Sequence, residues 1–492
     1  MKKIILLLLL AFSTFSFCQE LAGELKLKLN DKRHVFQIVD ELKKEVSLFI
    51  SDEDGVSSFK FNSDFKVVDS LKSTRPDKKF NSMIGYASKD NKYRVFWNSN
   101  KNKEINSQCF DFDTRKVTNE SFKFDFTNEQ IIQQITINNN FYIISLVKDT
   151  SILKMYIFDN GGKTETKTID ATSYTLIDSY GDTVSLFDAF KEEFLPFEDH
   201  FSLKNISSET PTSLTFAAYK RKMYTTNSEI VFAFDTNTKF TQLFKINLID
   251  FSISRKMINQ SSEEFPKEKE VYEKDQFDTK PDVNSNSFIE NNKIFQIKLC
   301  PYLIKISIKD LDGNIIKEFS AKLDQPIEFK NSEIIQESGD IKSRRVLETS
   351  NQFIRKLYNS NPGITFFKKN ENYYATIGSA SQVMQDASGA VIGGALFGMA
   401  GILIASALTA NQNVENYNSY KNRKIVYLNS MFDANFNHLN GYLNPLAFDQ
   451  LREFASDNKK NSDLTIFKFN SYLYLGAYNK KNKTYSFNRF IE

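Results

Sequence analysis

The 492-residue sequence contains little of the chemistry that metal centres and catalytic motifs need. It has three cysteines and three histidines, and none of them stands at the spacing of a metal-ligand framework. H-E-x-x-H, C-x-x-C, G-x-S-x-G and the phosphate-binding loop are all missing, so no zinc-protease, redox, serine-hydrolase or nucleotide site is predicted. We therefore expect no catalytic residue, no metal and no cofactor, and we favour a protein that is not an enzyme.

An excess of charge of either sign is also lacking. The chain has 64 basic and 61 acidic residues, which gives a formal net charge of +3. Nucleic-acid binding needs a concentrated basic face, so nucleic acid is not expected as a partner. What the sequence does have in quantity is phenylalanine, with 46 residues beside 21 tyrosines and one tryptophan. Aromatic side chains fit half-buried pleated surfaces, which favours β-sheets.

Residues 1–18 have the three parts of a signal peptide. Lys2 and Lys3 form the charged start, residues 4–12 form the apolar run, and residues 13–18 lead to the cleavage site. The apolar run is shorter than the ~20 residues that span a bilayer. We expect cleavage near Cys18, and hence an exported protein in the periplasm or associated with the outer membrane or cell surface. The alternative makes Cys18 a lipid-modified first residue.

Two cysteines, Cys109 and Cys300, remain after such cleavage. Both lie in apolar, strand-like runs. Export makes a disulfide between them chemically feasible, and two separate buried thiols fit the pattern equally well.

Short segments of alternating apolar and polar residues dominate from about residue 24 onwards. Alternation bounded by Asp, Asn, Gly and Ser is typical of β-hairpins. The sequence predicts six hairpins, which pair residues 59–62 with 65–68, 109–113 with 122–124, 155–159 with 166–169, 231–235 with 243–246, 303–308 with 315–319, and 425–429 with 435–436.

The first copies recur about every 50 residues, a spacing that fits four-stranded propeller blades. We predict a mainly β fold, a repeat of antiparallel strands in a β-propeller-like domain of six or seven blades, with a Gly-rich apolar helical insertion. The β-repeat domain would cover residues 19–386, and residues 411–492 would form its final part. Tandem β-sandwiches are the alternative.

Three local features interrupt or decorate this repeat. Residues 261–282 are charged and contain two prolines, which indicates an exposed loop. Residues 343–359 have helical spacing and precede Asn361-Pro362-Gly363, so a helix is predicted there. The tetrads that begin at Asp52 and Asp310 have the form D-x-D-G, and we interpret both as tight turns rather than as calcium loops.

The histidines His34, His200 and His438 have no evident catalytic partner. His34 is expected to point outwards from a strand. His200 follows Glu198 and Asp199 in an acidic stretch, where a solvated loop is favoured over a carboxylate–histidine site.

Residues 387–410 form a charge-free, glycine-rich apolar segment. As one helix it would be ~36 Å long, enough to cross a hydrocarbon core. Small residues recur every four positions, a spacing that lets apolar helices approach closely in lipid. The glycines that carry this pattern are Gly389, Gly393, Gly394, Gly398 and Gly401. The segment resembles the glycine-zipper segments of bacterial envelope proteins, and it predicts membrane or oligomer contact through these glycines. The alternative is a buried helical hairpin.

The flanks of this segment decide its topology. Residues 373–377 and 424–428 look like two strands of one hairpin, in which case both ends of the segment lie on the same side of a membrane. If they do not pair, the segment would separate two domains on opposite sides. We favour the inserted arrangement.

Together these features predict an exported cell-envelope binding or scaffold protein. The partner would be an envelope protein or a glycan, and the glycine-rich segment would serve membrane association or homo-oligomerisation. A secreted propeller-type hydrolase acting on an envelope or extracellular polymer is the alternative, although no pair of catalytic carboxylates can be assigned from spacing.

Overall fold

The computed structural model of the protein describes residues 19–99, 103–261, 265, 283–382 and 411–492. It is mainly β, with 54% strand and 9% helix. Within these residues, the strands form seven sheets of four or five strands and one two-stranded sheet. In most of the sheets the strands follow one another in chain order, as in propeller blades. The expected mainly β, β-propeller-like fold of repeated antiparallel strands is thus confirmed.

The chain separates into two compact units, of which the first contains the described residues up to Arg75 together with Asn444–Glu492. One sheet of this unit, in the order β1-β32-β31-β30, and a second sheet, β2-β3-β4-β5, are accompanied by helix α5. The bounds are β1 (Glu20–Lys26), β2 (His34–Asp40), β3 (Glu45–Ser51), β4 (Gly55–Phe61), β5 (Val67–Thr74), α5 (Ala447–Asp457), β30 (Asn461–Phe469), β31 (Tyr472–Asn479) and β32 (Thr484–Phe490).

The N-terminal and C-terminal strands of the chain pair directly in this unit. β1 runs antiparallel to β32, with Glu20 opposite Arg489. Behind them lies an aromatic core, in which the ring of Phe65 is 4.6 Å from Tyr474 and 4.9 Å from Phe487. Gly23 permits this packing, because a Cβ atom there would lie 2.6 Å from the Cβ of Phe65.

The second unit is Pro76–Leu443. Its first two sheets are β6 (Phe80–Lys89), β7 (Lys92–Ser99), β8 (Glu104–Asp111) and β9 (Lys116–Lys123), then β10 (Glu129–Ile137), β11 (Asn140–Val147), β12 (Ile152–Phe158) and β13 (Thr164–Asp170). The short hairpin β14 (Leu176–Ile177) and β15 (Thr183–Val184) and helix α1 (Leu186–Lys191) follow.

Three more sheets complete the second unit. The third consists of β16 (Lys204–Ile206), which pairs in parallel with β17 (Arg221–Thr225), followed by β18 (Glu229–Phe234), β19 (Phe240–Asn247) and β20 (Ile253–Asn259). The fourth is β21 (Asn284–Glu290), β22 (Lys293–Cys300), β23 (Leu303–Asp310) and β24 (Ile315–Lys322). The fifth has the order β26-β25-β29-β28-β27, from β25 (Ile334–Ser338), β26 (Arg345–Leu347), β27 (Asn361–Lys369), β28 (Asn372–Gln382) and β29 (Arg423–Phe432). The helices are α2 (Leu214–Ala217), α3 (Ser350–Tyr358) and α4 (Gln412–Asn418), with a 3₁₀ turn at Ile341–Ser343.

Neighbouring sheets of the second unit share apolar cores. The stacked rings of Phe96 and Phe141 join the first and second sheets at a centroid distance of 4.6 Å. Phe295 and Phe366 join the fourth and fifth sheets at 3.7 Å. The strand period of two sends alternate side chains to opposite faces, so a central strand buried on both faces loses its polar alternation.

Five of the six predicted hairpins are confirmed: β4–β5, β8–β9, β12–β13, β18–β19 and β23–β24 pair as antiparallel neighbours. The sixth prediction, residues 425–429 with 435–436, is wrong. β29 pairs instead with β28 and with β25. Asn435 lies in a turn, where its backbone N–H donates to the carboxylate of Asp433 over 2.9 Å.

The predicted helix over residues 343–359 is wrong in its first part. Arg345–Leu347 form β26, which pairs with β25. The helix α3 begins only at Ser350, because the hydroxyl of Thr349 accepts the backbone N–H of Gln352 and caps it. The predicted loop over residues 261–282 lies almost entirely outside the described residues.

Cys109 and Cys300 are both free and buried, so the disulfide alternative is wrong. The two D-x-D-G tetrads are turns, as predicted. The Asp52 carboxylate accepts the backbone N–H groups of Asp54 and Gly55, and the Asp310 carboxylate accepts those of Asp312 and Asn314.

Candidate functional site

The segment on which the sequence places its site lies outside the described residues. Gly389, Gly393, Gly394, Gly398 and Gly401 all belong to residues 383–410. Among the helices that the structure does describe, none has both the length and the apolar character needed to cross a bilayer. The membrane or oligomer role of these glycines therefore stays a prediction.

The three histidines lie in unrelated surroundings. His34 starts β2 on the same face of the strand as the buried Phe36 and Ile38, so the expected outward orientation is wrong. Burial lowers the pKa of this half-buried histidine to about 4. The Nε2 atom of His200 is 2.6 Å from the Glu193 carboxylate, with about half of the histidine side chain exposed. His438 bonds to the amide oxygen of Asn331 over 2.9 Å, and burial lowers its pKa. Within the described ranges, no group of His, Cys, Asp and Glu could hold a metal ion.

A buried ionic network surrounds the start of β17 in the second unit. Three consecutive cations, Lys220, Arg221 and Lys222, are at most 7% exposed. Lysine and arginine are almost never buried without partners, so each of these side chains requires an explanation. Helix α2 supports this strand start: the hydroxyl of Ser213 caps it by accepting the N–H of Phe216 over 3.1 Å.

Lys222 is held by oxygen atoms from several parts of the unit. Its ammonium donates to Asp235 over 2.9 Å, to the amide oxygen of Asn286 over 2.6 Å and to the carbonyl of Tyr219 over 2.5 Å. The hydroxyl of Ser287 in turn donates to Asp235 over 2.9 Å. The third and fourth sheets are therefore joined by a charged contact as well as by apolar packing.

Arg221 pairs with Glu198, and both side chains are fully buried. The guanidinium Nε lies 2.8 Å from one Glu198 oxygen, while the other oxygen accepts the backbone N–H of Lys220 over 2.7 Å. Arg221 also donates to the carbonyls of Phe190 and Asp199. It thereby links the end of α1 and the residues after it to β17 of the third sheet.

The Lys220 ammonium hydrogen-bonds to neutral groups, whereas the side chains of Arg221 and Lys222 each contact a carboxylate. Lys220 donates to the Asn284 amide oxygen over 2.9 Å and to the carbonyl of Ser285 over 2.5 Å. Burial lowers the pKa of Lys220 to about 8, against the opposing attraction of Asp235. An amine with this pKa can exchange a proton near neutral pH, but the site gives a substrate no open approach because the residue is 7% exposed.

This network has a structural role, because it joins neighbouring sheets. Its cations already bond to carboxylate, amide and carbonyl oxygens of the protein, so they are not available to bind an external anion. Sequence patterns did not identify Glu198, Lys220, Lys222 and Asp235 as a group, because their partners are 13 to 65 residues apart along the chain. The available signal was three cations in succession, Lys220, Arg221 and Lys222, at the start of a strand.

A cleft of about 160 Å³ lies beside the network, at β16, α2 and α4. It is lined by Asn205, Ile206, Ser207, Thr212, Phe216, Gln412 and Asn416. The Asn205 amide oxygen and the Gln412 amide nitrogen are buried, and neither has a hydrogen-bond partner in the part of the chain that the structure describes. Small-molecule sites have volumes of about 300–1,000 Å³, whereas the volume of this cleft includes open solvent and leaves no room for a water-sized sphere, so it does not suit a sugar or cofactor.

Helix α4, which follows residues 383–410, is held on the segment before α2 by polar contacts. The Asn416 amide accepts the N–H of Ser213 over 2.8 Å and donates to the carbonyl of Pro211 over 2.9 Å. The hydroxyls of Ser213 and Ser419 are 2.6 Å apart. Helix α4, the first element after residues 383–410, is therefore held in a fixed position on the segment before α2.

A partly buried ion pair adds to this attachment. The Lys204 ammonium lies 3.1 Å from Glu415 and about 5 Å from the ring centres of Phe216 and Tyr219. Burial disfavours its charge, but the Glu415 carboxylate outweighs that effect and raises the pKa of Lys204. The ammonium therefore stays protonated and links α4 to β16.

The strands that flank residues 383–410 pair as the sequence predicts. β28 and β29 are antiparallel, and Gln382 at the end of β28 is opposite Arg423 at the start of β29. The chain thus leaves and re-enters the fifth sheet at the same end.

Comparisons with known proteins give a limited result. No family model matches the chain, and no curated protein matches it. Solved structures with some likeness include a prolyl endopeptidase, at 6% identity and a TM-score of 0.33, with 92% of this chain and 47% of that chain covered. This chain thus spans about half the length of that peptidase.

Two other structures are covered over more of their own length. A member of the DUF4221 family from Bacteroides vulgatus has 8% identity and a TM-score of 0.29, with 96% of this chain and 99% of that chain covered. A subtype N10 neuraminidase-like protein from a little yellow-shouldered bat strain has 11% identity and a TM-score of 0.25, with 74% and 95% covered. At such TM-scores these likenesses carry no argument, and the activities named in them are not transferred to this chain.

Proposed function

We propose that this protein is an exported cell-envelope binding or scaffold protein. Its β-propeller-like domain presents the glycine-rich apolar segment 387–410 for membrane association or for contact with another copy. The partner bound by the domain is an envelope protein or a glycan. The signal-peptide pattern of residues 1–18 supports export, with a location in the periplasm or at the outer membrane or cell surface.

The observation that carries this proposal is the pairing of β28 with β29. Because Gln382 and Arg423 are opposite each other, the strand before residues 383–410 ends, and the strand after them begins, at the same end of one sheet. The attachment of α4 to Ser213 and Lys204 then holds the returning chain. A charge-free segment of 24 residues, tethered at both ends to a folded domain, suits insertion into a membrane from one side or packing against a second copy.

Membrane fractionation with an alkaline wash tests the proposal. The native protein is compared with a variant in which residues 387–410 are replaced by a short Gly/Ser linker. As a control, the same linker replaces residues 266–282, a segment of comparable length that is charged rather than apolar. We expect the native protein and the control to resist the wash and the 387–410 variant to be released.

Measurement of the oligomeric state in detergent distinguishes membrane association from self-association through residues 387–410. If the native protein is washed off but is oligomeric, and the 387–410 variant is monomeric, the segment serves self-association. If all three proteins are washed off and are monomeric, the proposed role of the segment is wrong.

A further inference from the structure

Basic residues from three elements meet at the end of the fifth sheet where the chain leaves for residues 383–410. Lys424 in β29 is opposite Ser338 of β25 and Ser381 of β28. Arg345 is the first residue of β26. Lys356 belongs to the last turn of α3, which ends shortly before β27 starts at this same sheet end. We call Arg345, Lys356 and Lys424 the basic cluster.

The electrostatics show that these charges act on one another. Burial, and next the positive charges of Lys424 and Arg345, lower the pKa of Lys356. In the part of the chain that the structure describes, no carboxylate forms an ion pair with a member of the cluster; the guanidinium of Arg345 donates to the neutral amide of Gln336 over 3.0 Å. The nearby Glu337 carboxylate is buried and bonds to Arg344 over 3.2 Å. The cluster is therefore a concentration of positive charge that a folded domain does not need.

The sheet end that carries the basic cluster lies close, along the chain, to the start of the charge-free segment. Four residues separate Gln382 from the start of the charge-free segment at residue 387. Cations beside an apolar stretch are the pattern by which proteins bind the boundary between anionic head groups and acyl chains.

We propose that the basic cluster docks on the surface of an anionic phospholipid bilayer, with the phosphate groups as counter-ions for Arg345, Lys356 and Lys424. This inference rests on the proposed membrane role of residues 387–410 and specifies the lipid that the domain recognises. Guanidinium and ammonium groups bind phosphate through charge-assisted hydrogen bonds. The domain would then lie with this end of its fifth sheet against the membrane.

Vesicle flotation of the full mature chain tests the proposal. The probes are vesicles of phosphatidylcholine alone and vesicles that also contain phosphatidylglycerol, each at low and high salt. The test variant is R345Q/K356Q/K424Q. The matched control, K116Q/K123Q/K163Q, removes the same charge from exposed lysines of the first two sheets of the unit.

The native protein should bind anionic vesicles more tightly than neutral ones, and high salt should weaken only the anionic preference. Each cation at an anionic surface changes partitioning by about fivefold, so the test variant should bind anionic vesicles on the order of 100-fold more weakly at low salt. Its binding to neutral vesicles should equal that of the control.

Three results would overturn the proposal, and they bear differently on the membrane role of residues 387–410. Equal binding of the native protein to both vesicle types, or a test variant that behaves as the control does, refutes recognition of anionic lipid and leaves the membrane role of residues 387–410 intact. Failure of the native protein to bind either vesicle type refutes both.

Discussion

The ammonium group of Lys222 lies 2.9 Å from a carboxylate oxygen of Asp235, and neither side chain is exposed to solvent. Asp235→Asn keeps the shape of the side chain but leaves Lys222 charged and buried without its counter-ion. Removing one partner of a buried ion pair costs about 3–5 kcal/mol. We expect a loss of this size in the free energy of unfolding, measured by urea denaturation.

Asp312→Asn is the matched control in the same unit. The Asp312 side chain is 79% exposed and contacts Lys256, so water replaces the lost interaction. Its urea midpoint should stay close to that of the native protein. Equal effects of the two substitutions would contradict the role of Asp235 as a buried counter-ion.

Lys220 should make stability depend on pH in the alkaline range. Its folded-state pKa of about 8 lies below its ordinary value of 10.5, so between these pH values the unfolded chain binds more protons than the folded one. Stability attributable to this residue therefore rises with pH from about 8 to 10, by at most about 3 kcal/mol.

Lys220→Met removes this titration. The difference in unfolding free energy between the native protein and the variant, measured at several pH values, should shift in favour of the native protein across that interval. A difference that stays constant with pH would show that Lys220 titrates normally. Comparing the two proteins also cancels the tyrosines, among them Tyr224, whose pKa burial raises well above 10.

Asn416 should hold helix α4 in place. It accepts the N–H of Ser213 and donates to the carbonyl of Pro211, so Asn416→Ala leaves two backbone groups without partners. The expected cost is about 1–3 kcal/mol, with faster amide exchange in residues 411–419. Asn418→Ala is the control on the same helix, because the buried Asn418 amide oxygen has no hydrogen-bond partner among the described residues. Similar exchange rates in the two variants would contradict this role.

The glycine pattern of residues 387–410 predicts that self-association and membrane binding can be changed independently of each other. On a helix, Gly394 and Gly398 lie on one stripe, and leucine at both positions would block close helix contact while increasing apolarity. Gly394→Leu/Gly398→Leu should lower self-association in detergent and retain membrane binding, as measured by light scattering and by the alkaline wash. Phe397→Leu/Met399→Leu, which changes apolar residues off that stripe, should alter neither property. Unchanged self-association in the glycine variant would remove the basis for a glycine-zipper contact.

The sequence predicts the local part of the fold well. Alternation of apolar and polar residues identifies β4–β5, β12–β13 and β23–β24, because each of these pairs joins neighbours along the chain. The alternation pattern does not predict pairing between strands that are far apart in the sequence. β25 inserts beside β29, although almost 90 residues separate them, and no local pattern indicates that register.

The buried network could not be predicted for a related reason. Lys222 finds Asn286 across 64 positions of sequence, and Glu198 finds Arg221 across 23. Burial of these charges depends on which sheets become neighbours. The basic cluster could not be predicted from the sequence either. Arg345 and Lys424 come close because β25 lies between their two strands and pairs with both.

Fluorescence of a tryptophan placed in the apolar segment tests the central claim most directly. Trp97 is the only tryptophan of the chain and is fully buried, so it gives a constant background for Leu396→Trp. If residues 387–410 insert into a bilayer, the emission of the added indole shifts to the blue on mixing with lipid vesicles and is quenched by lipids with brominated acyl chains. An emission that neither shifts on mixing with vesicles nor is quenched by brominated lipids would contradict membrane insertion.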